Sequence, residues 1–286
     1  MRARAFCPGH VTGFFEICKE KDLLSTGSRG AGMCLTLGAT SEVDIADSDR
    51  QDFRVFIDGE RSEAEVTRAV LRHLIGKDKK NVEVRTVLQL PQSQGFGMSA
   101  AGALSAALAT AHILGLERQR AFEAAHMAEI ECGGGLGDVS AIHRGGITIR
   151  EKPGLPPIGK VHRIDGSPDM VLAVVGELLL TKSVLSDPVK ARAINAHGSK
   201  RVDELIQTPT LEMLMTLSHS FCVESGLASD EVIEAIEATS GHGMASMSML
   251  GNSVFAVGRT EQLKDALSEF GQVFTCKVDT QGPKML

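Results

Sequence analysis

An alternating pattern runs through Val82, Val84, Thr86, Leu88 and Leu90, and it gives way over Pro91 to Ala103 to an Ala-rich segment ending near Gly115. The alternation predicts a strand and the Ala-rich run a tightly packable helix, with a glycine-bearing loop between them. Upstream, the chain alternates toward Phe6, breaks at Pro8-Gly9 and resumes as an apolar, strand-like run from Val11 to Ile17. A Gly/Ser stretch from Ser25 to Gly32 precedes another strand pattern, Leu35 to Ile45. Phe53 to Ile57 followed by Asp58-Gly59 reads as a strand leading into a turn. Ser62 with Glu65 three positions later has the form of a capping box for a helix through about Ile75, stopped by Gly76.

Beyond the Ala-rich helix, Phe122, Ala125 and Ala128 give Glu117 to Glu131 helical spacing. A glycine cluster, Gly133 to Gly137, then leads to Asp138, and Gly145-Gly146 precedes a strand from Ile147 to Arg150. The Pro/Gly-rich stretch from Lys152 to Gly159 is the natural place for a lobe boundary. After it come a strand at Met170–Val175 and helical patterns near 188–206, 210–224 and 230–239. A strand at Val254–Val257, a helix after Thr260 and a strand at Val273–Val278 complete a small α+β sandwich. There are no internal repeats or low-complexity tracts.

Composition narrows the function classes. A chain of 286 residues with 43% hydrophobic and 23% charged residues has ample length for a core in two lobes or one large α/β domain. A net charge of −6, no Lys/Arg run and no Trp or Tyr for base stacking argue against a nucleic-acid partner. Cysteines 7, 18, 34, 132, 222 and 276 are scattered without a C-x-x-C, which reads as reduced thiols inside a cell. No apolar leader follows Met1, and the longest apolar run, Met170 to Leu180, is interrupted by Gly176-Glu177 and too short for a bilayer. A cytoplasmic protein with no membrane partner is expected.

Gly95 and Gly97 would let backbone N–H groups close on a ligand, and the helix start behind them favours an anion. The loop reads as a phosphate cradle or, alternatively, as a tight turn feeding a core helix. It is neither a Walker loop, since no Gly-Lys-Ser/Thr follows, nor a Rossmann fingerprint. Ser99 near the first helical turn suits either a magnesium ligand or a helix cap. Glu129 suits magnesium or a solvated helix face. Asp138 after the glycine cluster is an N-cap by spacing, although a carboxylate there could also take a proton from an attacking hydroxyl. Arg29 offers a planar fork for a carboxylate within a stretch that otherwise reads as a mobile loop. His10 is a polar group at a strand bend or a substrate contact.

Together these segments resemble the GHMP kinase superfamily. Cys7-Pro8-Gly9-His10 matches its A-P-G-x motif. Pro91 to Ala101 matches P-x-x-x-G-L-G-S-S-A-A, with Phe96 for Leu and Met98 for the first Ser. Gly135-Leu136-Gly137-Asp138 followed by Gly145-Gly146 matches the segment that carries the catalytic aspartate. The third motif, at Ser240 to Gly251, has methionines where glycines are usual. Within the superfamily the likeness is greatest to the archaeal pantoate kinase family, through Pro8 to Phe15, Gly27 to Gly32, Gly135 to Val139 and Pro209-Thr210-Leu211-Glu212.

The resemblance implies a two-lobed α+β fold, with a ribosomal-protein-like lobe over residues 1–152, a ferredoxin-like lobe over 153–286 and ATP in the cleft between them. It implies ATP-dependent phosphorylation of the primary hydroxyl of pantoate, on the route to coenzyme A. The nucleotide is then held by Pro91, Gly95, Phe96, Gly97, Met98, Ser99, Ala100 and Ala101, and Mg²⁺ by Ser99 and Glu129. Asp138 becomes the base rather than a cap, and His10, Thr12, Ser28 and Arg29 grip pantoate. His10 stands where mevalonate kinases carry a lysine, so a lysine-assisted mechanism does not transfer. Glu16 falls at the place of a glutamate in the mevalonate kinase motif. A homodimer is an assembly open to test. The alternatives are a homoserine- or shikimate-type kinase of the same superfamily, a nucleotide-binding regulatory protein without catalysis, or a phosphate-dependent decarboxylase.

Overall fold

The computed structural model describes residues 1–179 and 184–286, so Leu180, the end of the long apolar run, lies outside the described residues. Two long strands, β1 (Arg2–Cys18) and β2 (Gly27–Asp47), form an antiparallel hairpin. Pro8-Gly9 does not break β1. A register shift falls between these two residues, and a bulge is where a strand tolerates a proline. The Gly/Ser stretch around Arg29 likewise lies in a strand, paired through Arg29 with Glu16. It is not a mobile loop.

The first sheet continues from β2 to β5 (Lys80–Leu88), then to β3 (Asp52–Ile57), parallel to β5, and to β4 (Glu60–Ser62) at the edge. Strand β6 (Ile147–Lys152) pairs with the first half of β2, β7 (Lys160–Ile164) pairs with β6, and β12 (Lys284–Met285) pairs with β1. The stretch from Pro153 to Gly159 therefore connects two strands of one sheet. A boundary at 152/153 would fall inside a hairpin, and the chain first leaves this sheet after Ile164.

Helix α2 (Met98–Ile113) lies across β1 and β2, flanked by α1 (Glu65–Ile75) and α3 (Arg118–Cys132). From Ala100 to Ala111 every residue is buried, which suits a helix enclosed in a core rather than resting on one. Beneath it, Ser41 Oγ lies 2.8 Å from Thr86 Oγ1 and 2.7 Å from Ser105 Oγ, so the small polar side chains in this close contact satisfy one another. The expected capping box at α1 is absent: Ser62 belongs to β4, the N-cap is Ala64 in a left-handed conformation, and no side chain caps the helix. The short helix α4 (Asp138–Arg144) precedes β6.

The second sheet is antiparallel, in the order β11 (Gln272–Lys277), β8 (Asp169–Val174), β10 (Ser253–Gly258), β9 (Gly243–Met247). Helices α5 (Pro188–Gln207), α6 (Leu211–Ser225) and α7 (Asp230–Ala238) connect β8 to β9, and α8 (Thr260–Ser268) connects β10 to β11. This β-α-β-β-α-β order is that of the ferredoxin-like plait. Asp187, Thr210 and Ser229 cap α5, α6 and α7 with side-chain oxygens.

The second lobe docks on β1. The Asn195 side chain accepts from Ile17 N–H at 2.8 Å and donates to Ile17 O at 3.2 Å. A Cβ at Gly198 would lie 1.9 Å from Phe15 O, so glycine is what lets α5 approach so closely. Among the described residues, no helix is long and apolar enough to cross a membrane.

Candidate active site

Between β5 and α2 the chain turns through Gly95 (φ 76°) and Gly97 (φ 66°), left-handed conformations that a Cβ would oppose. Gly97 is the N-cap of α2, and no side chain caps the first turn. The N–H groups of that turn have no intrahelical partner and carry the positive end of the helix dipole. They face a cavity of about 210 Å³ lying where the two lobes meet. Of the expected nucleotide residues, Gly95, Phe96, Gly97, Met98 and Ser99 line it. Pro91 stands off the cavity, and Ala100 and Ala101 are buried in the packing of α2. A neighbouring cavity of about 300 Å³ shares Ser93, Met98 and Ser99 and extends toward Ile57 and Leu88.

Two carboxylates face the loop. Glu129, on α3, is almost completely buried and is no solvated helix-face residue. Ser99 Oγ–H donates to its Oε1 at 2.6 Å, and Gly135 N–H donates to its Oε2 at 2.6 Å. Burial pushes the Glu129 carboxyl up to about 7, with the charge of Asp138 adding to the effect and the two hydrogen bonds opposing it. Asp138 is the first residue of α4, after Gly137 as N-cap, so it caps nothing and its side chain is free to face the cavity. A Cβ at Gly135 would lie 2.5 Å from Asp138 Oδ2 and 3.2 Å from Glu129 Oε2. The two carboxylates thus flank one glycine.

Among the described residues, no group of three or more His, Cys, Asp or Glu side chains converges as a metal cage. The donors here are one hydroxyl and one carboxylate, all oxygen. That set fits a hard dication that keeps water and phosphate oxygens as its other ligands, the habit of Mg²⁺, and does not fit a thiolate or imidazole metal.

The four expected substrate residues separate. Thr12 and Ser28 line the cavity. His10 does not: its ring is 1% exposed and stands behind Asp138, with Nδ1 2.8 Å from Asp138 Oδ1. Arg29 does not either. Its guanidinium donates to Glu16 Oε2 at 2.9 Å, Asp203 Oδ1 at 2.5 Å and Ser199 Oγ at 3.3 Å, and its Nε donates to Glu151 O at 2.8 Å. Arg29 is a strut between β2 and α5 whose donors are already engaged, which also accounts for Glu16.

A different arginine occupies the cavity wall. Arg150, on β6, is 1% exposed, and its Nε and Nη1 have no hydrogen-bond partner among the described residues. Burial holds its guanidinium down to about 10, opposed by the nearby charge of Asp138. Glycines clear its space: a Cβ at Gly137 would lie 2.5 Å from its Nε, and one at Gly30 2.8 Å from its Nη2. The sequence hides this residue. Ile147 and Ile149 alternate with Thr148 and Arg150, so Arg150 reads as the solvent face of a strand, whereas both faces of β6 are buried there.

The third motif packs against the nucleotide loop and β1. Ser248 Oγ–H donates to Gly95 O at 2.8 Å, and Met249 N–H donates to Thr12 O at 2.9 Å. A Cβ at Gly251 would lie 2.1 Å from the Gln94 carbonyl carbon. The methionines leave this contact intact because the one glycine that must pass beneath the nucleotide loop is present.

A glycine loop feeding an uncapped helix N-terminus, over a cleft with two carboxylates, defines the class of small-molecule kinases built on the GHMP fold. The family model described as GHMP kinases N terminal domain matches residues 64–146. The pantoate kinase of Thermococcus kodakarensis is 36% identical over 100% of this chain and 98% of its own length. That of Methanocaldococcus jannaschii is 33% identical over 96% of this chain and 99% of its own. A solved structure described as a phosphotransferase related to the coenzyme A biosynthesis pathway superposes with a TM-score of 0.91 at 34% identity, covering 100% of this chain and 99% of that one. The chain belongs to the pantoate kinase family of the GHMP kinases.

Proposed function

We propose that this enzyme transfers the γ-phosphoryl group of ATP to the primary hydroxyl of pantoate, giving 4-phosphopantoate and ADP. The observation that carries the substrate class is Arg150. A buried cation with two unpartnered donors is costly unless an anion completes it, and an acid's carboxylate placed there would put the rest of a short hydroxy acid beside Asp138. The phosphates then lie on the N–H groups of Gly95 to Ser99, and the nucleobase in the adjoining cavity. Thr12 and Ser28 supply hydrogen bonds to the acid's other polar groups.

Asp138 Oδ2 takes the proton as the acceptor oxygen bonds to the γ-phosphorus, and the bond to the β,γ-bridging oxygen breaks with its electron pair left on ADP. Ser99 and Glu129 are the residues that would hold Mg²⁺, which when bound neutralises charge on the phosphates. The Glu129 carboxyl must be ionised for that role. The remaining work is positioning, because phosphoryl transfer asks little covalent chemistry of the protein. The same reading places the enzyme in the cytoplasm, acting on a small acid and not on nucleic acid or membrane; a homodimer is testable by light scattering.

The test is product identification. Incubation with ATP and pantoate should give a phosphomonoester, seen by ³¹P NMR with coupling to a methylene group, and one ADP per product. A panel of homoserine, shikimate and mevalonate should be turned over far more slowly. An acyl phosphate, release of carbon dioxide, or ATP binding without transfer to any acceptor would each overturn the reading.

A further inference from the structure

The histidine behind Asp138 has a defined chemistry of its own. His10 follows the bulge in β1, and its backbone N–H donates to Phe96 O, in the nucleotide loop, at 3.0 Å. Its ring is buried, with Nδ1 against Asp138 Oδ1 at 2.8 Å and Nε2 without a partner among the described residues. On the neighbouring strand, a Cβ at Gly32 would lie 2.6 Å from Nε2, so nothing larger than glycine leaves room for the ring. Burial lowers the ring's proton affinity, against the opposing pull of Asp138.

A neutral imidazole carries one ring proton, and a carboxylate oxygen can only accept. The proton therefore sits on Nδ1, and Nε2 keeps a bare lone pair, the arrangement that leaves no buried N–H without an acceptor. With Oδ1 so engaged, Oδ2 is the oxygen left facing Gly135 and the cavity. We propose that His10 is a positioning residue: its Nδ1–H fixes Asp138 so that Oδ2 receives the acceptor's proton, and its backbone N–H ties that base to the nucleotide loop. This deepens the proposed reaction and rests on the role of Asp138 as base.

The test compares His10→Leu, which fills the space without a donor, with His10→Asn, whose side-chain amide can donate from near the Nδ1 position. In His10→Leu, kcat should fall by about ten- to a hundredfold, the order expected when a reacting group is misplaced. The KM values for ATP and pantoate should stay within about threefold, the mark of an interaction that matters in the transition state. His10→Asn should recover most of the lost kcat. Wild-type kcat in folded His10→Leu, or no recovery in folded His10→Asn, overturns the proposal.

Should the variants not fold, ¹⁵N spectra of the histidine-labelled wild type decide it: the inference requires a neutral Nδ1–H ring at His10 between pH 6 and 8, and an Nε2–H ring or an imidazolium contradicts it. Asp138→Asn separates the two layers. Full turnover in that variant removes the base itself, whereas loss of turnover there with His10→Leu unaffected removes only the inference about His10.

Discussion

Replacing Glu129 with glutamine should make the metal-free enzyme more stable at neutral and alkaline pH while abolishing its response to magnesium. The folded protein holds the Glu129 carboxyl at about 7, against 4.5 for an ordinary glutamate, chiefly through burial. A carboxyl raised on folding stabilises the native state only while protonated. Between those two values the native state keeps a proton that the unfolded chain has released, so stability falls as pH rises through this window and is flat above it. At about 1.4 kcal/mol per pH unit, the whole effect is on the order of 3 kcal/mol.

Glutamine keeps the shape, can accept from Gly135 N–H and has no charge to desolvate. The assay is urea denaturation of wild type and Glu129→Gln in chelator at pH 5 and pH 8. Taking the difference between the two proteins cancels His10, His126 and His143, whose protonation burial disfavours and whose contributions therefore run the opposite way with pH. The Gln variant should gain relative to wild type by about 2–3 kcal/mol between the two pH values. Added Mg²⁺ and nucleotide should stabilise wild type more at pH 8 than at pH 6, because a cation requires the ionised carboxylate. Parallel stability curves for the two proteins across this range would refute the reasoning.

Three other substitutions test the neighbouring assignments. Arg150→Met should raise the KM for pantoate by at least about tenfold with little change for ATP, and should not destabilise the metal-free protein, because it removes a buried cation two of whose nitrogens find no hydrogen-bond partner among the described residues; steady-state kinetics and thermal melting check both. Arg29→Ala should leave the pantoate KM nearly unchanged and cost about 1 kcal/mol of stability, since its partners are carboxylates outside the cavity and partly exposed to solvent. Gly251→Ala, with its Cβ 2.1 Å from the Gln94 carbonyl carbon, should displace the nucleotide loop, raising the ATP KM and costing about 1–3 kcal/mol in denaturation.

What the sequence made legible is what rests on local rules. The glycine loop before the Ala-rich helix, the three consecutive helices from 188 to 238 and the strands β8, β10 and β11 all follow from periodicity and glycine placement, whereas β9 and β12 carry no such local pattern. Pro8-Gly9 and the Gly/Ser stretch misled because breakers in a long hairpin are absorbed by a bulge and by sheet pairing that no local window contains. Arg29 read as a free fork and Arg150 as a solvent-facing strand residue for the same reason. Their contrast lies in which strand face another element covers, α5 supplying Asp203 to the first while the buried surroundings of β6 leave two donors of the second unpartnered among the described residues. Asp138 looked like a cap because its true partner, His10, is 128 residues away in sequence.

A crystal structure with a non-hydrolysable ATP analogue and pantoate bound together would show whether Asp138 stands beside the acceptor hydroxyl. The triphosphate should lie on the N–H groups of Gly95 to Ser99, the pantoate carboxylate on Arg150, and the primary hydroxyl within hydrogen-bond reach of Asp138 Oδ2. A carboxylate held by Arg29, or a hydroxyl out of reach of Asp138 with the nucleotide properly seated, would contradict this placement.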